Sequence, residues 1–297
     1  MNSYYSDDTV LFLDGEFVNA REARTDLFGQ TLHYGYGVFE GIRAYRTVHG
    51  TKIFQAQAHF ERLAESCRLM GIPLRYSPAE LTQFSYQVLK RNNLSNAYLR
   101  PLVFCSPNMS LTTPREVSVM IAAWDWGKYF ASSSLRVCIS SYERPNPKST
   151  HVEAKTCGHY VNSILATSEA KAKGFDEALM LDMNGFIAEG PGANFFMEKD
   201  GVLVTPKSGN ILPGITRSVV IKICHELEIP VSESQIAPED LESADAAFFC
   251  GTAAEITPIA SIDGISFQKP WRKTVGRIVQ EAYHCMVLDK NYSYVIV

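Results

Sequence analysis

Two residues in the sequence could form the centre of an active site, a lysine at position 155 and a glutamate at position 189. Lys155 lies in EAKTCG, beside small residues at the predicted start of a helix, and a lysine withdrawn from water is a nucleophilic amine. Glu189 ends an otherwise apolar strand in IAEGPG, where a buried carboxylate requires a cationic partner. On spacing alone, solvent-exposed side chains are the commoner case for both residue types.

Two further segments could bind an anion through backbone N–H groups. In LPGITR (212–217), Gly214 allows a ligand to approach closely, and Ile215 and Thr216 stand at a helix start, where free N–H groups favour negative charge. In CGTAAE (250–255), small residues follow the apolar strand AAFFC. A helix start capped by Thr216 and a plain turn explain the same residues without a ligand. Together, an amine, an acid and two anion sites indicate a phosphorylated cofactor held as a Schiff base.

The elements that must position these residues are predicted from turn signals, caps and apolar periodicity. Asp14-Gly15 predicts a hairpin of 10–13 with 16–19, and Ser77, followed by Pro78 and Glu80, predicts a capped helix. Other helices are predicted near 56–70, 158–173, 214–228 and 270–287. Further strands are predicted near 97–104, 117–123, 135–140, 178–182, 186–189, 194–198, 202–205, 246–250 and 262–267.

This order of elements predicts an α+β fold with two domains, mainly antiparallel sheets and flanking helices, because hairpins mix with helices without regular strand–helix alternation. The segment WDWGKYFASSS is typical of a loop between domains. We therefore expect a small N-terminal α/β domain over 1–125, an interdomain loop over 126–136 and a larger C-terminal domain over 137–297. The dinucleotide-binding pattern of three glycines is absent.

Composition excludes several classes of protein. The 297 residues are 46% hydrophobic and 20% charged, which is typical of a globular chain and excludes a disordered one. The formal charge of -4 and the absence of a basic run argue against a nucleic-acid partner. No apolar stretch has the length of a membrane span, and the polar start MNSYYSDDTV is unlike a signal peptide. The seven scattered cysteines are typical of reduced thiols in a cytoplasmic protein, and we assign no metal site.

The motifs resemble those of the branched-chain aminotransferases, which are fold-type IV pyridoxal-phosphate enzymes. The resemblance covers nearly the whole chain, in the family's order and spacing. It is carried by LFLDGEFV, LHYGYGVFEGIR, HFERL, AYLRPLVF, AAWDWGKY, AKTCGHYVNSIL, LDMNGFIAEGPGANFF, LPGITR and GTAAEITP. The fold implied is the D-amino acid aminotransferase-like architecture.

The resemblance implies a pyridoxal 5'-phosphate cofactor at the domain interface. Lys155 is implied to be the Schiff-base lysine and proton carrier, and Glu189 to pair with the pyridine nitrogen. The other implied cofactor contacts are Arg62, Ile215, Thr216 and Thr252 to the phosphate, Tyr160 to the 3′-oxygen and Leu212 to the ring. Helical periodicity predicts that Arg62 faces solvent, opposite Phe60 and Leu63, so its role rests on the resemblance alone.

The resemblance also implies an apolar substrate pocket. Its walls are implied to be Phe39, Tyr98, Trp126 and Tyr129, with Tyr34 and Leu111 supplied by the neighbouring subunit. Core packing is the commoner role for any single aromatic residue. Strand alternation places Tyr98 and Arg100 on one face, and the Tyr-x-Arg signature implies that Arg100 binds the side-chain carboxylate of glutamate or 2-oxoglutarate. The turn at Thr252 and Ala253 is implied to bind the substrate α-carboxylate.

The implied reaction is the reversible, ping-pong transamination of L-leucine, L-isoleucine and L-valine with 2-oxoglutarate, by a homodimer or homohexamer. Two alternatives of the same fold type, D-amino-acid aminotransferase and aminodeoxychorismate lyase, would keep Lys155 and Glu189. The segment Gly41-Ile42-Arg43 and the Tyr-x-Arg signature favour the branched-chain group. A non-catalytic binder of phosphate ligands is a third alternative, against which the intact lysine argues. His159 and Asp125 depart from the asparagine and proline common at these positions, and neither has an assigned role.

Overall fold

The computed structural model describes residues 4–127, 129–130 and 132–291. The chain divides into two compact units. The first comprises Met1–Gly127 with Ala154–His159, and the second comprises Lys128–Glu153 with Tyr160–Val297. Of the loop predicted over 126–136, positions 128 and 131 lie outside the described residues.

The segment Ala154–His159, which carries Lys155, belongs to the first unit, although it falls within the C-terminal domain predicted over 137–297. Backbone contacts explain this difference. The Phe39 N–H donates to the Lys155 carbonyl at 3.1 Å, and Val38 and Thr156 form an antiparallel bridge. These bonds join positions more than a hundred residues apart, so no local pattern in the sequence reveals them.

The first unit consists of a sheet and helices that pack on it. Its strands are β1 (Val10–Leu13), β2 (Glu16–Asn19), β3 (Gly37–Phe39), β4 (Ile42–Thr47), β5 (Gly50–Ile53), β6 (Ala97–Cys105) and β7 (Val117–Trp124). Its helices are α1 (Gln30–Tyr34), α2 (Ala56–Leu69) and α3 (Pro78–Arg91). Within the described residues, the sheet has seven antiparallel strands in the order β2-β1-β7-β6-β4-β5, with β3 paired to β6.

Local signals account well for the hairpin and the two long helices of this unit. Asp14 adopts a positive φ in the turn between β1 and β2. At the start of α3, the Ser77 side chain accepts from the Glu80 N–H, and the Glu80 side chain accepts from the Ser77 N–H. The apolar face of α2 packs Phe60 and Leu63 into the core of the unit. Helix α1 and strands β3, β4 and β5 were not predicted, because they are short and lie in a stretch without clear periodicity.

The second unit contains strands β8 (Leu135–Ile139), β9 (Glu177–Leu181), β10 (Ile187–Glu189), β11 (Asn194–Lys199), β12 (Val202–Pro206), β13 (Val231–Ser234), β14 (Ala246–Gly251), β15 (Glu255–Ile262) and β16 (Ile265–Ser266). Its helices are α4 (Tyr160–Ala172), α5 (Ile215–Glu226) and α6 (Val275–Val287). Strand β15 was not predicted, because Pro258 interrupts its strand pattern. The strand predicted near 262–267 is shorter than expected, since only Ile265–Ser266 form β16.

Strand pairing closes part of this second sheet into a ring. The described strands run β10-β9-β8-β15-β14-β11-β12-β13, and β10 also pairs with β11. Glu189 at the end of β10 therefore lies opposite Asn194 at the start of β11, which in turn lies opposite Cys250 of β14. The ring thus gathers the ends of three strands around Glu189.

The predicted α+β class with mainly antiparallel sheets is confirmed. Strand β8 pairs in parallel with both β9 and β15, and β12 pairs in parallel with β13. The other described strand pairs of the second unit are antiparallel. In the part of the chain that the structure describes, no helix combines the length and the apolar character needed to cross a membrane.

Gly35 and Gly158 form a close backbone contact that holds the Lys155 segment, and this contact can be tested. Gly35 has a φ of +65°, its carbonyl accepts from the Gly158 N–H at 2.9 Å, and a Cβ on Gly35 would lie 2.8 Å from the Gly158 Cα. We expect Gly35→Ala to lower the free energy of unfolding by about 1–2 kcal/mol from the left-handed backbone and about 1–3 kcal/mol more from the clash.

The matched control is Gly174→Ala. Gly174 also follows a helix, with a φ of +83°, but open space surrounds its Cβ position. This variant should lose the backbone contribution alone. Urea unfolding of both variants measures the difference, and equal losses would show that the contact between Gly35 and Gly158 is not tight.

Candidate active site

Backbone hydrogen bonds hold Lys155 in the first unit. Its N–H donates to the Ser66 Oγ at 3.0 Å, and its carbonyl accepts from Phe39. The half-buried side chain places Nζ 5.1 Å from the centroid of the Phe39 ring. Burial raises the pKa of the nearby Cys157 thiol to about 11, so this cysteine stays protonated at neutral pH and is not a competing nucleophile.

Arg62 does not face solvent, and the prediction from helical periodicity is wrong on this point. Its side chain is only 12% exposed and grips the fully buried Glu40, with Nε 2.7 Å from Oε1 and Nη2 2.9 Å from Oε2. Glu40 lies 22 positions earlier in the chain, so the helical pattern of α2 could not reveal the partner. Arg62 thus lies on a buried polar face of α2 together with His59 and Ser66.

His59 completes this group. Its Nδ1 lies 2.7 Å from Glu40 Oε2. Burial lowers the pKa of His59 more than the adjacent carboxylate raises it, so the ring is neutral at neutral pH and donates its Nδ1–H to Glu40. Burial alone would raise the pKa of Glu40, but Arg62 and His59 outweigh it and hold the pKa well below its usual range.

Tyr98 and Arg100 share one face of β6, as strand alternation predicts. The Arg100 Nη2 lies 3.3 Å from the Tyr98 Oη, and the guanidinium lies over the Phe39 ring at 4.7 Å from its centroid. Arg100 Nε is buried and has no hydrogen-bond partner among the described residues. A buried donor without a partner is costly, and a carboxylate oxygen would satisfy it.

The other predicted pocket residues have different surroundings. Phe39 is buried, and the Trp126 ring lies 4.7 Å from the Tyr98 ring, so these two belong with the Tyr98–Arg100 pair in the first unit. Tyr34 and Leu111 are 45% and 87% exposed on the same unit, and their expected role in a neighbouring subunit's pocket stays a prediction. Tyr129 is exposed in the second unit, where its ring contacts Phe130.

Glu189 in the second unit is a buried carboxylate whose partners include Arg144, Leu212 and Asn194. Its Oε1 lies 2.9 Å from Arg144 Nε, in an ion pair that is not aligned as a hydrogen bond, and accepts from the Leu212 N–H at 3.0 Å. Its Oε2 accepts from Asn194 Nδ2 at 2.8 Å. Glu189 is therefore the buried carboxylate with a cationic partner, not a solvent-exposed side chain, and Arg144 is that cation.

Sequence reasoning missed Arg144, Asn194, Glu40 and His59. Arg144 lies in the loop ERPNPKST, whose composition indicates only a turn-rich connection. Glu40 and His59 lie inside the segments that carry the family resemblance, LHYGYGVFEGIR and HFERL. A buried acid beside an arginine could have been suspected there, but only the fold joins them.

The two predicted anion sites are both in the second unit, and the structure describes each. Helix α5 begins at Ile215 with Gly214 as its N-cap, so Thr216 is not the cap and is instead buried in the first turn. Gly214 is required there, because a Cβ would lie 1.8 Å from Asn194 Oδ1. Thr252 and Ala253 form the half-buried turn between β14 and β15.

Tyr160 and Leu212 are the remaining predicted cofactor residues. Tyr160 is the half-buried first residue of α4. Leu212 is tied to the Glu189 group by its backbone, because its N–H donates to Glu189 and its carbonyl accepts from Asn194 Nδ2 at 3.0 Å. The contacts expected of both residues with a cofactor stay predictions.

Comparison with known proteins identifies the class. The family model described as amino-transferase class IV matches residues 37–262. The branched-chain-amino-acid aminotransferase of Pseudomonas aeruginosa is 42% identical over 293 residues, which are 97% of this chain and 95% of that protein.

Solved structures agree with this match. The branched-chain aminotransferase of Thermoproteus uzoniensis with norvaline has a TM-score of 0.92 at 40% identity and covers 97% of both chains. A second solved branched-chain amino acid aminotransferase, complexed with N-(5'-phosphopyridoxyl)-L-glutamate, has a TM-score of 0.89 at 36% identity and covers 97% of this chain and 96% of that chain.

The fold and these matches define a class IV aminotransferase, so the protein is a transaminase. Within that class, the chain belongs to the family of branched-chain-amino-acid aminotransferases. The resemblance read from the motifs is thereby confirmed.

The buried ion pair of Arg144 with Glu189 generates a prediction about stability. The side chains are 7% and 6% exposed, so Arg144→Met would leave a buried carboxylate without its cation. We expect a loss of about 3–5 kcal/mol in the free energy of unfolding, because the desolvated charge is no longer compensated.

Arg136→Met is the matched control. Arg136 pairs with Asp176 in the same unit, but its side chain is 61% exposed, so water replaces the lost partner. Arg136→Met should therefore lower the free energy of unfolding much less than Arg144→Met. Chemical unfolding of both variants gives the comparison, and similar stabilities would mean that Arg144 does not neutralise Glu189.

Proposed function

We propose that this protein transfers the amino group between branched-chain L-amino acids and 2-oxoglutarate, with pyridoxal 5'-phosphate as its cofactor. The observation that carries the proposal is the arrangement around Phe39. An amine, Lys155 Nζ, and a carboxylate-binding cation, Arg100, both lie over this one aromatic ring, at 5.1 and 4.7 Å from its centroid. A transaminase needs both a reactive amine and a site that accepts apolar and acidic side chains in turn.

The described residues fit the chemistry of the cofactor. A phosphate dianion requires N–H donors, and the first turn of α5 offers backbone N–H groups beside Gly214, where no Cβ fits. A pyridine nitrogen requires an acid, and Glu189 is buried and fixed by Arg144, Asn194 and Leu212. An aldehyde requires an amine, and Lys155 is half-buried.

The predicted site residues take the following roles in this proposal. Arg62, the N–H groups of Ile215 and Thr216, and Thr252 bind the phosphate, Tyr160 donates to the 3′-oxygen and Leu212 packs against the ring. Glu189 holds the proton at the pyridine nitrogen. Lys155 Nζ would take the proton from the substrate Cα and deliver it to C4′ of the cofactor, and would carry it in the opposite direction in the reverse reaction. When bound, the cofactor supplies the electron sink that makes this Cα proton removable.

Substrate selection in this proposal depends on a pocket that is apolar except for Arg100. Phe39, Tyr98, Trp126 and Tyr129, with Tyr34 and Leu111 of a neighbouring copy, accept a branched aliphatic side chain. Arg100 binds the distal carboxylate of glutamate or 2-oxoglutarate by donating its buried Nε–H to it. The Thr252–Ala253 turn binds the α-carboxylate. The solved relative complexed with N-(5'-phosphopyridoxyl)-L-glutamate supports the acidic half of this selection.

We also propose a homo-oligomer, either a dimer or a hexamer, in the cytoplasm. Exposed apolar side chains support the oligomer, since they would otherwise remain in water. They are Leu27, Phe28, Leu32 and Leu111 in the first unit and Val161, Ile164 and Leu165 on α4. All seven cysteines belong to the described residues and are free, which supports a reducing compartment.

Lys155→Ala tests the mechanism, because it removes the amine that anchors the cofactor and carries the proton. We expect transamination of L-leucine with 2-oxoglutarate to fall by at least about 10⁴-fold, to the assay background. Lys148→Ala, which changes an exposed lysine seven positions earlier, should keep full turnover. Near-normal turnover of Lys155→Ala would refute the assigned mechanism.

The wild-type enzyme should be assayed beside these variants with L-leucine, D-alanine and aminodeoxychorismate. Turnover with L-leucine alone is expected. Preference for D-alanine or aminodeoxychorismate would assign the chain to a different activity of the same fold type, and a colourless protein without turnover would favour a non-catalytic binder.

Arg100→Leu tests the dual specificity. Losing a charge-assisted hydrogen bond in a dry pocket costs about 2–5 kcal/mol. In the half-reaction of the pyridoxamine form, the KM for 2-oxoglutarate should therefore rise at least ~30-fold. The half-reaction of the pyridoxal form with L-leucine should change little, since leucine has no distal charge. Stopped-flow absorbance follows the two half-reactions separately.

The control for this variant is Arg46→Leu, an exposed arginine of β4 in the same unit, which should leave both half-reactions unchanged. Equal losses for leucine and 2-oxoglutarate in Arg100→Leu, together with lower thermal stability, would mean that Arg100 is structural.

A further inference from the structure

The buried group of Glu40, His59 and Arg62 has a feature that a phosphate contact from Arg62 alone does not explain. Glu40 is 0% exposed, and burying a carboxylate is costly unless it is paired and hydrogen-bonded. Its two oxygens accept from Arg62 Nε and Nη2, and Oε2 also accepts from His59 Nδ1 and from the Gly41 N–H at 3.3 Å. Every one of these bonds fixes the direction of the carboxylate.

We propose that Glu40 is a positioning residue that sets the affinity for the cofactor's phosphate by orienting the Arg62 guanidinium. The inference rests on the proposed function, in which Arg62 binds that phosphate. Two parallel N–H···O bonds hold the planar guanidinium in one orientation, so the two groups behave as a rigid pair. The remaining N–H donors of Arg62 then point in one fixed direction before the phosphate arrives, and binding does not have to order them.

His59 supports this orientation from the preceding turn of α2. His59 and Arg62 are three residues apart and therefore lie on one face of the helix, and both bond to the same carboxylate. His59 is neutral at neutral pH, so it adds a hydrogen bond without adding a charge. The group thus contains one carboxylate and one guanidinium, with charges that balance.

Glu40 could affect phosphate binding in two ways, through its own charge or by orienting Arg62. If Glu40 acted only through its charge, it would weaken phosphate binding, because its negative charge offsets that of Arg62. Its removal would then strengthen binding. If Glu40 orients Arg62, its removal weakens phosphate binding despite the gain in positive charge. The two effects have opposite signs, so one measurement distinguishes them.

The experiment compares pyridoxal 5'-phosphate with pyridoxal, which has the same ring and aldehyde but no phosphate. The apoenzyme is titrated with each compound, and absorbance gives the dissociation constants. Glu40→Gln keeps the shape of the side chain and removes the charge, whereas Glu40→Asp keeps the charge and withdraws the carboxylate by one methylene. Glu65→Gln, which changes an exposed glutamate paired with Arg68 on the same helix, is the control.

We expect both Glu40 variants to lose at least about 10-fold in affinity for pyridoxal 5'-phosphate and to bind pyridoxal as the wild type does, since an imperfect charge-assisted pair costs one or more factors of ten. Glu65→Gln should change neither constant. Inorganic phosphate should also raise the thermal unfolding temperature of wild-type apoenzyme more than that of either Glu40 variant.

Three results would overturn the proposal. Tighter binding of pyridoxal 5'-phosphate by Glu40→Gln would mean that charge, not orientation, dominates. Equal losses for both compounds would mean a general structural role. Unchanged binding in Glu40→Asp, which retains a buried anion and so folds most readily, would mean that the paired geometry is unimportant. Failure of the wild type to bind either compound would instead refute the proposed cofactor.

Discussion

The structure depends on keeping two carboxylates charged while they are withdrawn from water. Glu40 in the first unit is fully buried and paired with Arg62, and Glu189 in the second unit is buried and paired with Arg144. Removing a carboxylate from water costs several kcal/mol unless an opposite charge and hydrogen bonds replace the solvent. Each unit therefore has to place an arginine close to a buried carboxylate, which follows β3 in the first unit and ends β10 in the second. These two pairs carry the phosphate and ring-nitrogen roles in the proposed function, so the same constraint governs both the folding of the units and the chemistry.

The sequence predicts the parts of this arrangement that depend on neighbouring residues. The hairpin at Asp14 and the helix capped by Ser77 follow from turn and cap chemistry, which acts over a few residues. Strand alternation correctly placed Tyr98 and Arg100 on one face. The class of enzyme was also accessible, because several motifs in a fixed order resemble one family, and the comparisons confirm it.

Other parts could not be predicted, because their causes are long-range. Helical periodicity placed Arg62 in solvent, since the pattern of α2 contains no information about Glu40, whose carboxylate lies just after β3. The segment around Lys155 was predicted to lie in the C-terminal domain over 137–297, whereas it packs with the first unit, because its pairing with Val38 and Phe39 forms only in the fold. Strand β15 was missed because Pro258 weakens the local strand signal, although its neighbours β8 and β14 supply the pairing. In each case a tertiary contact outweighs the local preference.

The central claim is that Lys155 is the amine that binds the cofactor. The most direct measurement is to reduce the purified holoprotein with borohydride, digest it with trypsin and locate the modified residue by mass spectrometry. Reduction makes the bond between the lysine and the cofactor permanent, so the readout does not depend on turnover or substrate. The account predicts a phosphopyridoxyl group on Nζ of Lys155 and on no other lysine. A modified peptide that lacks Lys155, or an unmodified chain from a protein with bound cofactor, would contradict it.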